Sequence, residues 1–321
     1  MEFFQGGRLD NYLLIVGSDF DEYLRLLGDG ALPGLEVRGF DNQAQAQAWL
    51  PRANILLGPP GMISALLDQT PRLQWVQSTY AGVEPLCRPG LRRDYLLTGV
   101  KGLFGPLMSE YVFGYILAIQ RRLFDMRQQQ REHRWQPIPY RSLRGLVLGI
   151  CGLGSIGMHL AETGASFAMR VTGYRRTPSP CPAVERTYSG SELGDFLAEL
   201  DYLVLALPDT PDTRHIIDRG ALERMKASAV IINVGRGSSI VETDLSWALQ
   251  QRRLAGAVLD VFAHEPLPAA SPLWDMPGCI VTPHISALSF PADIVALFAR
   301  NYRRFITGRP LEYRVNFERG Y

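Results

Sequence analysis

Residues 147–167, VLGICGLGSIGMHLAETGASF, combine an apolar strand, a glycine loop and the start of a helix. Gly152, Gly154 and Gly157 form a G-x-G-x-x-G pattern between the two elements. The first glycine allows a tight turn, the second lets the backbone approach a pyrophosphate, and the third lets the helix pack closely on the strand. The helix N-terminus offers N–H groups and a positive dipole to the anion. The stretch predicts a dinucleotide site, and a glycine-rich turn without a ligand is the alternative interpretation.

Further apolar runs stand on both sides of this loop, each followed by turn residues and a helix-like segment. Strands this uniformly apolar belong in parallel sheets that helices cover on both faces, so we predict an α/β fold. The first series is YLLIVG (12–17), NILLGP (54–59) and LQWVQST (73–79), and the second is RVTGYR (170–175), YLVLALP (202–208), AVIINVG (229–235), GAVLDVF (256–262) and CIVTPH (279–284). Residues 106–135 read as one long helix or two, and a helix is expected after residue 287.

Length and composition restrict the class of protein. A chain of 321 residues usually exceeds one core, so two domains are expected. The 33 Lys+Arg and 32 Asp+Glu residues give a net charge of +1, without the basic excess that a nucleic-acid or membrane-surface partner requires. Four scattered cysteines predict neither disulfides nor a metal site and suit a reducing cytoplasm. The N-terminal MEFFQGGRLDNYLLIVG lacks the order of a signal peptide, and YVFGYILAIQ is too short to span a membrane.

Two arginines, Arg175 and Arg176, stand at the end of the strand that follows the glycine loop. An NAD enzyme usually offers Asp or Glu to the adenosine ribose at this position, about twenty residues after the glycines. A carboxylate would repel the 2′-phosphate of NADP, whereas guanidinium groups pair with it through charge-assisted contacts. We therefore predict that NADP is preferred and NAD is possible. A solvated loop that happens to carry two arginines is the alternative.

Polar residues follow three of the later strands, at the carboxyl ends where open α/β sheets bind ligands. They are Arg236, Asp260, Glu265 and His284. A carbonyl reductase needs a histidine to protonate the developing alkoxide, a carboxylate to keep that histidine protonated, and an arginine to polarise the carbonyl and pair with a substrate carboxylate. Taken singly, the arginine could be a surface residue, the glutamate a helix cap and the histidine a core residue. His264 is the nearest rival histidine.

Several blocks together resemble one known family. INVGRG, LDVFAHEPLP and VTPHIS, following CGLGSIG, resemble the signature blocks of the D-isomer-specific 2-hydroxyacid dehydrogenase family. LQWVQSTYAGVE, LPDTPDTRHII and ERMKASAVIINVGRG extend the similarity through nearly the whole chain. KGLFGPLMSEYVFGYILAIQRR departs from the commoner family pattern at Met108 and Ser109 and is similar to the glyoxylate/hydroxypyruvate reductase branch.

The resemblance implies a role for each matching residue. Arg236 would bind the substrate, Glu265 would keep the histidine protonated, and His284 would be the general acid/base. Backbone N–H groups at Tyr80, Ala81, Gly82 and Val83 would meet the substrate carboxylate. Asp260 would meet the nicotinamide carboxamide. The cofactor-binding set is Gly152, Gly154, Ser155, Ile156, Gly157, Arg175, Arg176, Leu207, Pro208, Val234 and Asp260.

The family also implies the domain plan: two Rossmann-like or flavodoxin-like domains with parallel sheets and an active-site cleft between them. A discontinuous substrate-binding domain would comprise residues 1–102 and 288–321, and an NAD(P)-binding Rossmann domain residues 103–287. A homodimer would be built on the cofactor domain.

The favoured hypothesis is NAD(P)H-dependent reduction of glyoxylate, hydroxypyruvate or a similar small 2-oxo acid to the D-2-hydroxy acid. Two alternatives stay open. One is a phosphite- or formate-type dehydrogenase of the same superfamily, although the formate enzymes carry Gln where this chain has Glu265. The other is a cofactor-sensing binding protein, similar to transcriptional corepressors that share the fold. Whether Trp135 reaches the substrate is left open.

Overall fold

A computed structural model describes residues 11–28, 30–177 and 179–320, except for the side chain of Gln43. Residues 1–10, which begin the segment predicted not to be a signal peptide, lie outside this part, and so does Pro178 of the arginine stretch. The strands are β1 Asn11–Val16, β2 Leu35–Phe40, β3 Ile55–Gly58, β4 Trp75–Ser78, β5 Leu96–Thr98, β6 Val147–Cys151, β7 Arg170–Tyr174, β8 Arg186–Tyr188, β9 Tyr202–Leu205, β10 Val230–Asn233, β11 Gly256–Leu259 and β12 Cys279–Val281. The α-helices are α1 Phe20–Leu27, α2 Gln43–Ala46, α3 Pro60–Ser64, α4 Gly105–Gln120, α5 Leu123–Arg131, α6 Ser155–Ser166, α7 Leu193–Ala198, α8 Arg219–Arg224, α9 Glu242–Gln250 and α10 Pro291–Ile306.

The chain divides into two compact units, one of Met1–Leu103 with Ser289–Tyr321 and one of Phe104–Leu288. Each unit contains one parallel sheet, which confirms the predicted α/β class. The strand order is β2-β1-β3-β4-β5 in the first unit and β12-β11-β10-β9-β6-β7-β8 in the second. Parallel sheets need helices on both faces, so their central strands are uniformly apolar and buried.

In the first unit, the C-terminal helix packs on the sheet through aromatic side chains. Phe298 of α10 stacks on Trp75 of β4 with ring centroids 4.9 Å apart, and both residues are fully buried. The indole N–H of Trp75 donates to Thr98 Oγ1 at 2.8 Å, which satisfies the one polar group of that ring. The helix expected after residue 287 therefore belongs to the same unit as the first series of strands.

The helical stretch between the two series of strands is two helices. Helix α4 ends at Gln120, and Arg122 adopts a left-handed backbone conformation with φ of 57°. An α-helix cannot continue through that conformation, so a separate helix, α5, begins at Leu123. Within the described ranges, no helix combines the length and the apolar character needed to cross a membrane.

Candidate functional site

The predicted site residues of the second unit follow one edge of its sheet. Cys151 is paired with Leu205, Leu205 with Asn233, Asn233 with Leu259, and Leu259 with Val281. The strand ends therefore form a row, and the chain leaves each of them on the same side because all the strands are parallel. The glycine loop and the segments that carry the arginine, glutamate and histidine all start from this row, as expected for the ligand-binding edge of an open α/β sheet.

The glycine loop has the close approaches that its pattern predicts. Gly152 has φ of 97°, and a Cβ there would lie 2.6 Å from the carbonyl oxygen of Ala206. A Cβ on Gly157 would lie 2.0 Å from the oxygen of Gly152, so neither position tolerates a side chain. A Cβ on Gly154, in contrast, would meet no heavy atom within 4 Å. The middle glycine therefore leaves an open approach to the backbone, as binding of a pyrophosphate requires.

The helix that follows the loop supplies donors for an anion. Gly154 is the N-cap residue of α6, which begins at Ser155 and runs for 12 residues. The N–H groups of the first helical turn, at Ser155, Ile156 and Gly157, have no acceptor within the helix. These N–H groups and the helix dipole favour negative charge at this end. The residues present thus suit the phosphates of a dinucleotide.

The arginine pair adjoins the glycine loop. Tyr174, the last residue of β7, is paired with Cys151, so Arg175 starts beside the first glycine of the loop. Arg175 is half-buried, and its Nη1 donates to Ser179 Oγ at 2.6 Å. Arg176 is exposed, and its Nη1 lies 4.0 Å from Asp212 Oδ2. Two positive charges therefore stand where a carboxylate would face the ribose in an NAD-specific protein.

The predicted adenosine-side residues belong to the segments after β9 and β10. Leu207 and Val234 are buried, whereas Pro208 is half-buried and its carbonyl accepts a hydrogen bond from Thr213 Oγ1 at 2.6 Å. A Cβ on Gly235 would lie 2.7 Å from the nitrogen of Leu207, so the two segments touch through their backbones. These residues form the wall next to the glycine loop, because β9 is the neighbour of β6.

The histidine and the glutamate are in direct contact. His284 Nδ1 lies 2.8 Å from Glu265 Oε2, and Glu265 Oε1 accepts the backbone N–H of Phe262 at 2.9 Å. The exposed fractions of the two side chains are 53% and 36%, so solvent reaches the pair. Since Nδ1 is engaged with the glutamate, Nε2 is the ring nitrogen left for another molecule. The rival His264 is exposed and precedes the contact by one residue.

The surroundings shift both members of the pair toward their charged forms. The hydrogen bond that His284 Nδ1 donates to the Glu265 carboxylate raises the pKa of His284, burial opposes this rise, and the charges of Glu265 and Asp260 add to it. Burial raises the pKa of Glu265, but the hydrogen bonds from His284 and from the Phe262 N–H outweigh burial and leave that pKa below its ordinary value. The positive charge of Arg236 lowers the pKa of both groups. The arrangement therefore favours an imidazolium that can give up a proton.

Arg236 belongs to a tightly shaped loop after β10. Its Nη1 donates to the carbonyl of Gly235 at 2.7 Å, and its own carbonyl accepts from Asn233 Nδ2 at 3.0 Å. Asn233 Oδ1 also accepts the N–H of Gly235 at 3.1 Å, so one buried amide fixes the turn on both sides. Gly237 is required because a Cβ there would lie 1.9 Å from the carbonyl carbon of Phe262. The arginine loop is thus packed against the glutamate segment.

Asp260 is placed differently from a residue that is open to a ligand. It is 0% exposed, and its carboxylate accepts hydrogen bonds from Thr282 Oγ1 at 2.5 Å and from the N–H groups of Ile285 and Ser286 at 2.9 Å each. The carboxylate therefore holds the loop that carries His284. Contact with a nicotinamide carboxamide stays a prediction for this residue.

The predicted substrate loop of the first unit begins where β4 ends. Tyr80 is exposed, Val83 is buried, and the Tyr80 N–H already donates to Ser78 Oγ at 3.0 Å. In the described part of the chain, the N–H groups of Ala81, Gly82 and Val83 donate to no other residue. Three of the four predicted N–H groups are therefore available for a carboxylate, and that of Tyr80 is not.

Several residues that shape the site were not predicted. Asp209 accepts from Ser238 Oγ at 2.9 Å and pairs with Arg214, which links the segment after β9 to the arginine loop. Glu242 accepts the N–H of Ala263 at 2.8 Å and steadies the glutamate segment. The sequence offered one signal for these residues: Asp209 lies within the block LPDTPDTRHII, and Glu242 lies a few residues after INVGRG.

Three residues that the sequence left open have clear positions. Ser109 Oγ lies 2.7 Å from His159 Nδ1, so this serine joins α4 to α6. Met108 is half-buried and packs against the core of the second unit. Trp135 is 100% exposed within the single chain. The described ranges contain no group of three or more His, Cys, Asp or Glu residues placed to hold a metal ion.

Comparison with known proteins gives consistent matches. A family model described as D-isomer specific 2-hydroxyacid dehydrogenase, NAD binding domain, matches residues 113–286. A glyoxylate/hydroxypyruvate reductase A from Escherichia fergusonii is 37% identical over 217 residues, which are 68% of this chain and 70% of that protein.

Solved structures match over almost the entire chain. A D-isomer specific 2-hydroxyacid dehydrogenase family protein from Aeromonas salmonicida subsp. salmonicida A449 is similar at a TM-score of 0.92 and 45% identity, covering 96% of this chain and 99% of that one. An NADPH-dependent glyoxylate/hydroxypyruvate reductase from Sinorhizobium meliloti, in complex with NADP and sulfate, is similar at a TM-score of 0.88 and 30% identity, covering 97% and 100%.

Proposed function

Because this chain belongs to the D-isomer specific 2-hydroxyacid dehydrogenase family, we propose that it reduces glyoxylate, hydroxypyruvate or a similar small 2-oxo acid to the D-2-hydroxy acid. The observation that carries the proposal is the 2.8 Å contact between His284 and Glu265, at the sheet edge from which the glycine loop also starts. A proton donor and a dinucleotide site on one edge are the parts that carbonyl reduction requires.

In this proposal, His284 is the general acid. Glu265 accepts a hydrogen bond from Nδ1–H and favours the imidazolium. Nε2–H is then the donor that faces the carbonyl oxygen of the substrate. Arg236 pairs with the substrate carboxylate and polarises the carbonyl, as a guanidinium does through parallel N–H donors. In the other unit, the N–H groups of Ala81, Gly82 and Val83, which donate to no described residue, suit a carboxylate. A bound nicotinamide cofactor supplies the hydride.

NADPH is the proposed cofactor, with NADH as a weaker alternative. Arg175 and Arg176 support this choice, because guanidinium groups attract a 2′-phosphate and no carboxylate takes their place at the end of β7. The Sinorhizobium meliloti relative, which is NADPH-dependent, points the same way. On this proposal residues 103–287 form the NAD(P)-binding domain, and residues 1–102 with 288–321 form the substrate-binding domain.

The proposed assembly is a homodimer built on the cofactor domain. Helix α5 has no buried residue, and its apolar Leu123, Phe124 and Met126 are exposed, as is Trp135 farther along. Exposed apolar side chains clustered in this way mark interaction surfaces. Sedimentation should give twice the chain mass for the wild type and a shift toward the monomer for Phe124→Glu. A wild-type protein that sediments as a monomer contradicts the dimer. The proposed location is the cytoplasm, because the four cysteines are scattered in the sequence without paired spacing.

A substrate panel tests the activity. Glyoxylate, hydroxypyruvate, pyruvate and larger 2-oxo acids are assayed with NADPH and with NADH, and phosphite and formate are assayed with NADP and NAD. We expect turnover of the small 2-oxo acids with NADPH and its loss by on the order of 100-fold or more in His284→Ala. Near wild-type turnover in that variant contradicts the proposed role of the histidine. Turnover of phosphite alone, or tight cofactor binding with no turnover, contradicts the proposed reaction.

A further inference from the structure

A chain of hydrogen bonds runs from the half-buried Tyr111 of helix α4 to the loop that carries His284. The hydroxyl of Tyr111 lies 2.6 Å from Thr282 Oγ1, and Thr282 Oγ1 donates to Asp260 Oδ1 at 2.5 Å. A threonine hydroxyl has one proton, and here that proton goes to the carboxylate. Tyr111 is therefore the donor to Thr282. Burial raises the pKa of Tyr111, so the phenol stays protonated and can donate this hydrogen bond.

The far end of this chain is fixed to the backbone on both sides of the histidine. The carboxylate of Asp260 accepts the N–H groups of Ile285 and Ser286, and the carbonyl of Asp260 accepts the N–H of His284 at 2.9 Å. Thr282 donates from the other side of the histidine. Asp260 thus holds the whole turn, and Tyr111 fixes the orientation of the threonine that completes it.

The turn needs to be held because its backbone is strained. His284 has φ of 55°, a left-handed conformation that residues other than glycine adopt only when their surroundings enforce it. If the hydrogen bonds loosen, the backbone can relax toward negative φ. The ring would then swing away from its 2.8 Å contact with Glu265. Tyr111 therefore influences the orientation of the His284 ring through the hydrogen bonds and without a direct hydrogen bond to it.

We propose that Tyr111 is a positioning residue, which holds His284 in its proton-donating orientation through Thr282 and Asp260. The proposal rests on the proposed function only for its kinetic consequences, since the effect on the histidine exists in the protein alone. Tyr111 and Thr282 are 171 positions apart in the sequence.

Tyr111→Phe is the direct test, because it removes the hydroxyl and keeps the ring in place. A misplacement of a catalytic group by about 1 Å can cost up to about 100-fold, so we expect kcat to fall on the order of tenfold. The KM for NADPH should stay within about twofold of wild type, since the chain of hydrogen bonds does not include the glycine loop. Thr282→Val should match this loss, and Thr282→Ser should restore most of the activity because it keeps the hydroxyl.

Tyr115→Phe is the matched control. Tyr115 lies on the same helix and packs edge-on against Tyr111 at a centroid distance of 4.9 Å, but it is not part of the chain of hydrogen bonds. It should leave kcat at the wild-type level. Equal losses of kcat in Tyr111→Phe and Tyr115→Phe would assign the effect to packing of α4 and overturn the proposal.

A measurement independent of turnover separates this proposal from the proposed function. The five histidines are titrated by NMR without cofactor, and the His284 signal is identified by its absence in His284→Gln. The charged groups that act on His284 are Glu265, Asp260 and Arg236, and all three remain in Tyr111→Phe. We expect the His284 pKa to fall toward its ordinary value in Tyr111→Phe and to stay unchanged in Tyr115→Phe. An unchanged titration in Tyr111→Phe overturns the positioning role, whereas a wild-type protein that reduces no 2-oxo acid overturns only the reaction.

Discussion

Replacing Glu265 with Gln removes one charge from the histidine pair and little else. The amide oxygen can still accept the Phe262 N–H that Glu265 Oε1 accepts at 2.9 Å. The amide nitrogen then faces His284 Nδ1 in place of the carboxylate oxygen that lies 2.8 Å away. An N–H donor facing Nδ1 favours the neutral imidazole, whereas the carboxylate favours the imidazolium. The His284 pKa should therefore fall.

The size of the fall follows from the contact and from its exposure. A hydrogen bond to a charged group contributes about 1.5–3 kcal/mol when it is shielded from water. Here 53% of the histidine side chain and 36% of the glutamate side chain are exposed, and exposed ion pairs contribute no more than about 1 kcal/mol. The carboxylate therefore favours the imidazolium by no more than about 1 kcal/mol, and the His284 pKa should fall by the small amount that corresponds to this free energy. The charge of Asp260 remains and limits it.

Two assays measure this fall. NMR titration of the histidine signals gives the His284 pKa directly. If His284 is the acid in reduction, the alkaline limb of the kcat/KM profile for 2-oxo acid reduction should move to lower pH by the same amount. Glu242→Gln is the matched control, because Glu242 accepts the N–H of Ala263 at 2.8 Å on the same segment without touching the histidine. A His284 pKa that is the same in wild type and Glu265→Gln refutes the reasoning.

Three further predictions concern the cofactor site and stability. Arg175→Asp should lower the kcat/KM for NADPH relative to NADH by on the order of tenfold, since one charge-assisted contact contributes about 1.5 kcal/mol. Added salt should weaken the wild-type preference for NADPH. An unchanged ratio of the two kcat/KM values in the variant contradicts the role of the arginine. Gly157→Ala should lower the melting temperature sharply, because its Cβ would lie 2.0 Å from a backbone oxygen. Gly154→Ala has open space around its Cβ, so it should keep the melting temperature and weaken NADPH binding. Similar melting temperatures for the two variants contradict this prediction. The pKa of His284 is higher in the folded than in the unfolded state, so its ion pair stabilises the protein below about pH 6.5. This stabilisation is lost as the pH rises through the folded pKa. Denaturant titration should therefore show a larger loss of stability for Glu265→Gln at pH 6 than at pH 9.

The sequence located the central strands of both sheets and passed over three of the four edge strands. Strands β3, β9, β10 and β11 are buried at every position, and each was predicted. Strand β2 is half-buried or exposed throughout, and β5 and β8 have three residues each; all three lie at sheet edges. Strands β2 and β8 meet solvent and show no apolar run, and β5 is too short to stand out, whereas the edge strand β12 was predicted because its residues are apolar.

For the candidate site, the sequence indicated residue types at strand ends but not the contacts between them. The order of blocks identified Glu265 and His284, and parallel topology accounts for their common edge. The link from Tyr111 to Thr282 could not be predicted, because it depends on how α4 packs across residues that are far apart in the chain. The full burial of Asp260 was equally hidden, since a strand-end aspartate has the same sequence signal whether it faces solvent or holds a loop.

The position of strand β6 in its sheet makes two proposed properties of the protein separable. Arg175 follows β7 on one side of β6, whereas Arg236, Glu265 and His284 follow the strands on the other side. If these residues have the proposed roles, exchange of the short connection after β7 should alter the choice between coenzymes and leave the proposed proton donor in place. The reverse exchange is harder, because the histidine turn is tied through Asp260 and Thr282 to helix α4. For redesign, the proposed coenzyme-reading segment is therefore a short connection that can be exchanged, whereas the proposed proton donor is held by contacts that reach across the fold.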